Sequence, residues 1–315
     1  MKKDYKHQIP YNGDWKKLTG PLPMKMTNDY LFRALLQADE KTLKAIIISV
    51  LRLKNEDVQS VLVTNPIKLG EGIDDKEFHL DVNVLMNNAA IINLEMQVVH
   101  ELDWKDRSLV YICRSFDNLS HGDQYDAVPY VTQISFTDFS PNPEKPAFCS
   151  CYKWINEQDP EDFYSDKMTI INVDLTNIGM ATEEDRKNGI DLWAGIFKSK
   201  TWEDLKMIAE KNKDVDQAAS SIWFLSEDNR IREQIWRRDL NEARYQARER
   251  AFKKLQDENV SLKGENVNLK DEVVDLKDEV VDLKDENVNL KEENVNLKDK
   301  VVELMQQLDL LRQNT

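Results

Sequence analysis

The chain has few cysteines, few glycines and no long apolar run, and each shortage excludes a class of protein. Three cysteines in 315 residues are too few for a disulfide framework and are typical of a reducing compartment, so we expect a cytoplasmic protein. Nine glycines form no glycine-rich phosphate loop, which excludes an NTPase of that type. Ile46 to Leu51 is the best apolar run, far short of the about 20 residues of a membrane span, and no secretion signal is expected.

Basic residues are also in short supply. The chain has 43 Lys and Arg against 58 Asp and Glu, a formal net charge of −15. This acidity counts against a nucleic-acid partner, because phosphate must be met by cations. The charge is uneven, since residues 251–315 carry −6 while 230–254 hold nine basic residues against four acidic ones. That basic stretch is either a phosphate contact or ordinary helix surface.

Composition and periodicity divide the chain into four regions. We expect an N-terminal tail (1–23), a domain of mixed helices and strands (24–180), a helical extension (181–227) and one long helix (228–315). In the mixed domain the patterns predict helices over 29–36, 40–53 and 104–119, and strands over 58–64, 78–86, 91–99, 128–136 and 168–173. Such a mixture indicates an α/β or α+β core.

Two of the predicted strands, joined at Asn87-Asn88, form a hairpin with one polar face. Glu95 and Gln97 lie side by side on that face, because they alternate with an apolar set. The other strand carries Asp81, and strand pairing would bring the Asp81 and Glu95 carboxylates within reach of one hard divalent cation. Oxygen ligands suit Mg²⁺ or Mn²⁺ better than Zn²⁺. The alternative interpretation is a solvated strand face.

The segments MTNDYLFRALL, HLDVNVLMNNAAIINLEMQ and DWKDRSLVYICRSF occur in this order. Together they resemble the Rpn-type recombination-promoting nucleases, which are also described as transposases and belong to the PD-(D/E)XK nuclease superfamily. The resemblance covers roughly residues 24–180 and implies a restriction-endonuclease-like α/β fold, a mixed sheet flanked by helices. The superfamily signature D…(D/E)-x-K reads here Asp81…Glu95-Met96-Gln97, with Gln in the last place as in that family.

The resemblance also implies which residues bind the metal. Asp81 and Glu95 would be ligands of Mg²⁺ or Mn²⁺, with the Met96 backbone carbonyl as a third oxygen. Asp29, on the first helix, matches an acidic position that often completes the metal shell.

The remaining implied roles concern the water and the substrate. Gln97 would orient the attacking water, although it is uncharged and cannot act as a base. Arg107 and Tyr111, four residues apart on one helix face, would meet the scissile phosphate, the alternative being a plain surface contact. His79 shares the face of Asp81 and is either an assisting group or an ordinary polar strand residue.

The activity implied by the resemblance is metal-dependent hydrolysis of phosphodiester bonds in double-stranded DNA. Such an endonuclease would be linked to recombination or mobile-element biology. The alternative is a catalytically inactive nuclease fold that serves as a DNA-binding or regulatory interaction protein. Retention of Asp81, Glu95 and Gln97 together favours the enzyme.

Leucine recurs at every seventh position from Leu255 to Leu304. With leucine at d, the a positions hold Phe at 252 and Val or Asn from 259 to 301, the g positions mostly Glu and the e positions mostly Lys. This pattern predicts a C-terminal parallel coiled coil, with strict heptads over 252–308, and therefore a homodimer. The order of Asn and Val at a specifies the register, since a slipped pairing would bury Asn against Val. Valines at the b positions leave a trimer as the alternative.

Overall fold

The computed structural model describes residues 9–67, 69, 81–99, 104–117 and 124–313, with side chains described as far as residue 308. The described residues form eight α-helices: α1 (Asp29–Ala38), α2 (Glu40–Leu51), α3 (Trp104–Phe116), α4 (Glu183–Lys187), α5 (Ile190–Lys198), α6 (Trp202–Ala209), α7 (Lys213–Ser226) and α8 (Asn229–Gln313). They also form six strands: β1 (Val61–Val63), β2 (Val82–Met86), β3 (Ala90–Gln97), β4 (Tyr130–Thr137), β5 (Cys149–Ile155) and β6 (Phe163–Asp174).

The six strands make one mixed sheet in the order β1-β2-β3-β4-β6-β5. Strands β1, β2 and β3 are antiparallel neighbours, β3, β4 and β6 run parallel, and β5 returns antiparallel along β6 at the sheet edge. This mixed sheet with flanking helices confirms the predicted restriction-endonuclease-like α/β fold.

One face of the central strands is apolar and forms the core. Phe32 of α1, Phe136 of β4 and Phe197 of α5 meet there with ring centroids 5.2–5.8 Å apart. Edge-to-face ring contacts at such distances add to the stabilisation from burial. The opposite face of the same strands carries polar side chains and is covered by α3, whose Trp104 and Ile112 are buried.

Most predicted elements are present, with shifted ends. Helix α2 stops at Leu51, earlier than predicted, because Arg52 adopts a left-handed φ of 56° that closes the helix. Strand β5 was not predicted, and β6 begins at Phe163 instead of residue 168. Most side chains of β5 and of the start of β6 are exposed, so the alternation that marks a half-buried strand is missing there.

The N-terminal segment and the helical extension pack together on the sheet domain. Trp15 is fully buried, with its ring 6.5 Å from that of Trp202. Helix α6 begins with a capping box in which Thr201 and Asp204 exchange hydrogen bonds with each other's backbone. The predicted helical extension, 181–227, contains α4, α5, α6 and α7.

The chain divides into two units at Tyr245. The first contains the sheet, its helices and the start of α8, where the Asp228 carboxylate accepts a hydrogen bond from the Arg230 backbone N–H at 2.9 Å. The second is the remainder of α8, the predicted long helix, and its d-position leucines are 51–63% exposed in the single chain. None of the described helices is long and apolar enough to cross a membrane.

Candidate active site

The β2–β3 hairpin positions the two predicted carboxylates. It turns at Asn87–Asn88, whose φ angles of 51° and 55° lie in the left-handed region that Asn tolerates. Val82 lies opposite Leu94 in the antiparallel ladder. Asp81 immediately precedes this pair and therefore lies opposite Glu95. The register places the two side chains on the polar face of the sheet, as the sequence predicted.

Glu95 is buried, with only 3% of its surface exposed, beneath α3. Its Oε1 accepts a hydrogen bond from the Trp104 indole N–H at 3.2 Å and another from the Ser135 hydroxyl at 2.6 Å. Among the described residues, none donates a hydrogen bond to Oε2. The burial of Glu95 contradicts the alternative interpretation of this face as a solvated surface.

Asp81 is held through its backbone. Its carbonyl oxygen accepts hydrogen bonds from the Arg33 guanidinium at 2.6 Å and from the Asn65 side-chain amide at 3.0 Å. Burial raises the pKa of the Asp81 carboxyl to about 7, and the charge of Glu95 acts in the same direction, while Arg107 opposes both. The ionised form of a carboxyl that is desolvated beside a second carboxylate is costly. A bound cation lowers this cost, because it neutralises both charges.

Arg107 and Tyr111 of α3 belong to the same cluster. The pKa of Tyr111 is raised chiefly by burial and then by the charge of Asp81, with Arg107 opposing and Glu95 adding to the rise. Both α3 side chains are partly buried. The structure thus brings Asp81, Glu95, Arg107 and Tyr111 into one electrostatically coupled group.

Gln97 and Met96 follow Glu95 on β3. The Gln97 side-chain N–H donates to the Val99 carbonyl at 2.9 Å, which leaves Oε1 as an acceptor. The Met96 side chain is buried in the core on the other face of the sheet. This alternation directs Glu95 and Gln97 to the same polar face.

Asp29 has a different neighbour. It stands at the first turn of α1, where the guanidinium of Arg238 from α8 donates to both of its carboxylate oxygens. In this structure Asp29 is therefore engaged by α8, and its proposed place in the metal shell stays a prediction. His79 lies outside the described residues.

Three residues of the site were not predicted: Arg33, Trp104 and Ser135. Arg33 could have been noticed, because a buried arginine inside the apolar run of α1 requires polar partners. Trp104 and Ser135 carry no such signal, since a tryptophan at a helix start and a serine in a strand are ordinary. Their role comes from contact with Glu95, which lies 9 and 40 residues away in sequence.

The oxygen donors of the site fit a hard divalent cation. Asp81 and Glu95 face each other, and Glu95 keeps one oxygen without a hydrogen-bond donor among the described residues. Within the described ranges, no three His, Cys, Asp or Glu side chains are grouped so as to hold a metal. A cation here would take its other ligands from backbone and water oxygens, as Mg²⁺ does when it is bound through one or two carboxylates.

Comparison with known proteins agrees with this geometry. No curated protein and no solved structure matches the chain. A family model described as PD-(D/E)XK nuclease family transposase matches residues 26–251, which include the whole sheet, α3 and the start of α8. The match covers well over half of the chain. The chain therefore belongs to the PD-(D/E)XK nuclease family transposases.

Proposed function

We propose that this protein is a divalent-metal-dependent endonuclease that hydrolyses phosphodiester bonds in double-stranded DNA. The proposal rests on Asp81 and Glu95, which lie opposite each other on neighbouring strands. They share the polar face of the sheet, where Glu95 is buried. Nucleases of this superfamily generally use divalent metals, and we assign Mg²⁺ or Mn²⁺ from the oxygen donors. The biological setting that we propose is recombination or mobile-element activity.

The side chains around the pair have complementary tasks in this proposal. Asp81, Glu95 and the Met96 carbonyl would hold the cation, which when bound supplies positive charge to the phosphate and lowers the pKa of a water molecule. Arg107, whose charge acts on Asp81, would bind a phosphate oxygen with its fork of N–H donors.

Gln97 and Tyr111 complete the substrate side of the proposed site. The Gln97 Oε1 would accept a hydrogen bond from the attacking water, because its N–H is already held by Val99. Tyr111 would donate a hydrogen bond from its hydroxyl to a phosphate oxygen. Asp29 would add a further acidic ligand only after leaving Arg238.

Plasmid cleavage in Mg²⁺ tests the proposal. We expect nicking by the purified protein and a loss of at least about 100-fold with Asp81→Ala or Glu95→Ala, because each removes a metal ligand. Glu144→Gln, which neutralises an exposed carboxylate in a loop, is the matched control and should cut normally. Equal nicking by all four proteins would indicate a contaminating nuclease and contradict the assignment.

The same experiment separates the enzyme from the alternative of an inactive DNA-binding module. A wild-type protein that binds duplex DNA without cutting it, in both Mg²⁺ and Mn²⁺, would support the module. Gln97 is the residue on which this alternative rests, because it stands where the superfamily signature has a charged lysine.

We propose further that the distal part of α8 forms a parallel coiled coil and makes the protein a homodimer. The d-position leucines are half exposed or more in the single chain, which favours a second copy that covers them. Two nuclease domains in one dimer would address both strands of a duplex.

Sedimentation of the full-length protein tests the dimer. Replacing Leu269, Leu276 and Leu283 by Lys should give monomers, because three charges would enter the buried seam. The matched control replaces Asp271, Asp278 and Asp285, at the outer f positions, by Lys and should stay dimeric. A trimer in the wild type would support the alternative oligomer. A dimer that survives the leucine substitutions would show that the heptads serve another purpose.

A further inference from the structure

A row of buried polar side chains links the neighbouring strands β3 and β4 beneath α3 and ends at Glu95. The Asn93 amide donates to Gln133 Oε1 at 2.7 Å, the Gln133 amide donates to Ser135 Oγ at 3.4 Å, and the Ser135 hydroxyl donates to Glu95 Oε1 at 2.6 Å. All four side chains are at most 5% exposed. Buried polar groups cost stability unless they are hydrogen-bonded, and each side chain of this row has a hydrogen-bond partner within it.

The direction of the hydrogen bonds determines where the Ser135 proton lies. Gln133 donates to Ser135 Oγ, so the single hydroxyl hydrogen of Ser135 is directed at Glu95. The Trp104 indole is a donor only and reaches the same oxygen. Two donors at Oε1 fix the plane of the Glu95 carboxylate. Oε2 is then the oxygen left for a cation.

A second buried hydroxyl on the same strand allows a comparison with Ser135. Thr137 lies two residues after Ser135 on β4, on the same face and equally buried. Its Oγ1 has no hydrogen-bond partner among the described residues. Ser135 and Thr137 are thus two buried hydroxyls on one strand, of which Ser135 donates a hydrogen bond to Glu95 and Thr137 donates none among the described residues.

We propose that Ser135 is a positioning residue whose hydroxyl, oriented by Gln133, holds the Glu95 carboxylate in place to bind the divalent cation. The inference rests on the proposed nuclease function and deepens it. Residues that orient metal ligands in this way commonly change metal affinity by about 10–100-fold when removed.

Mn²⁺ binding to the full-length protein, followed by calorimetry, tests the role of Ser135. Ser135→Ala should weaken Mn²⁺ affinity by about 10-fold or more. The control, Thr137→Val, removes an equally buried hydroxyl and should leave the affinity within about twofold of wild type. Gln133→Met keeps the side-chain length but removes the donor that orients Ser135. Gln133→Met should also weaken Mn²⁺ binding, by a smaller factor than Ser135→Ala. This variant tests the inference if Ser135→Ala does not fold.

Plasmid cleavage at varied Mg²⁺ gives an independent measure. Ser135→Ala should raise the Mg²⁺ concentration for half-maximal cleavage by about 10-fold, with a smaller loss of rate at saturating Mg²⁺. Equal Mn²⁺ affinities for Ser135→Ala and wild type, or equal losses in Ser135→Ala and Thr137→Val, would overturn the positioning role. A wild-type protein that neither binds Mn²⁺ nor cuts DNA would instead overturn the nuclease function itself.

Discussion

Asp81 and Glu95 face each other yet stand in different surroundings. Glu95 is held by its side chain, because its Oε1 accepts hydrogen bonds from Trp104 and Ser135. Asp81 has its backbone carbonyl bound, but its carboxyl is desolvated and repelled by Glu95, so its pKa rises to about 7. The pair therefore contains one carboxylate that the protein hydrogen-bonds and one whose charge is costly until a cation is bound.

The stability of the metal-free protein should show this cost. In the unfolded chain Asp81 ionises near its ordinary pKa of 3.8, whereas in the folded protein it holds its proton until about pH 7. The folded state thus binds more protons between these values, and stability falls as the pH rises from about 4 to 7. At pH 8 the free energy of unfolding of Asp81→Asn should exceed that of wild type by roughly 2–4 kcal/mol, at about 1.4 kcal/mol per pKa unit. At pH 4 the two proteins should be equally stable. Urea unfolding at the two pH values gives the comparison.

Glu144→Gln is the control for this measurement, because its carboxylate is exposed and should give no such difference at either pH. Added Mg²⁺ should stabilise the wild type at pH 8 and leave Asp81→Asn nearly unchanged. If Asp81→Asn is no more stable than wild type at pH 8, the ionised Asp81 carboxylate does not destabilise the folded protein.

Helix α1 connects the start of α8 with the site. At its first turn Asp29 pairs with Arg238, and the Asn28 cap donates to the Ile235 carbonyl and to Asp239. One turn later Arg33 holds the Asp81 carbonyl. A single helix thus joins the start of α8 to the strand end that carries Asp81.

Removing the ion pair should loosen this junction. Arg238→Ala should lower the free energy of unfolding by about 1–2 kcal/mol, because the pair is only partly exposed and bidentate. Arg237→Ala is the matched control, since it breaks an exposed pair with Glu233 on the same helix and should cost at most about 0.5 kcal/mol. Urea unfolding of the two variants gives the comparison, and equal losses would contradict the role of Arg238.

Asp29→Asn extends this test to the metal. If Asp29 only anchors α8, this variant should match Arg238→Ala in stability and bind Mn²⁺ as wild type does. If Asp29 completes the metal shell, as the family resemblance implies, Asp29→Asn should weaken Mn²⁺ binding while Arg238→Ala strengthens it, because Arg238 competes for the carboxylate.

For the molecule as a whole, the charge of −15 constrains how it meets DNA. Of this total, −6 belongs to residues 251–315, which need not touch the substrate, and 230–254 supply nine basic residues against four acidic ones. The carboxylates of the site must be neutralised before a phosphate can approach them. The acidity is thus compatible with DNA when a divalent cation is present.

Duplex binding should therefore depend on both metal and salt. We expect labelled duplex DNA to bind at least about 10-fold more tightly in Mn²⁺ than in EDTA, and binding to weaken steeply between about 50 and 200 mM salt. Glu95→Gln should lose most of the dependence on Mn²⁺, while Glu144→Gln should keep it. Fluorescence anisotropy gives these affinities, and binding that is equally tight in EDTA would contradict the charge argument.

The sequence alone determined the helix and strand pattern, the Asp81–Glu95 pair and the long heptad helix. These features follow from local periodicity and from short motifs, which involve residues close together in the sequence. It could not supply the edge strand β5, whose side chains do not alternate. Nor could it supply the hydrogen bond from Ser135 to Glu95, 40 residues apart, or the pairing of Asp29 with Arg238, 209 residues apart. Only the tertiary structure decided these contacts, because they depend on the order of the strands and on where α8 packs.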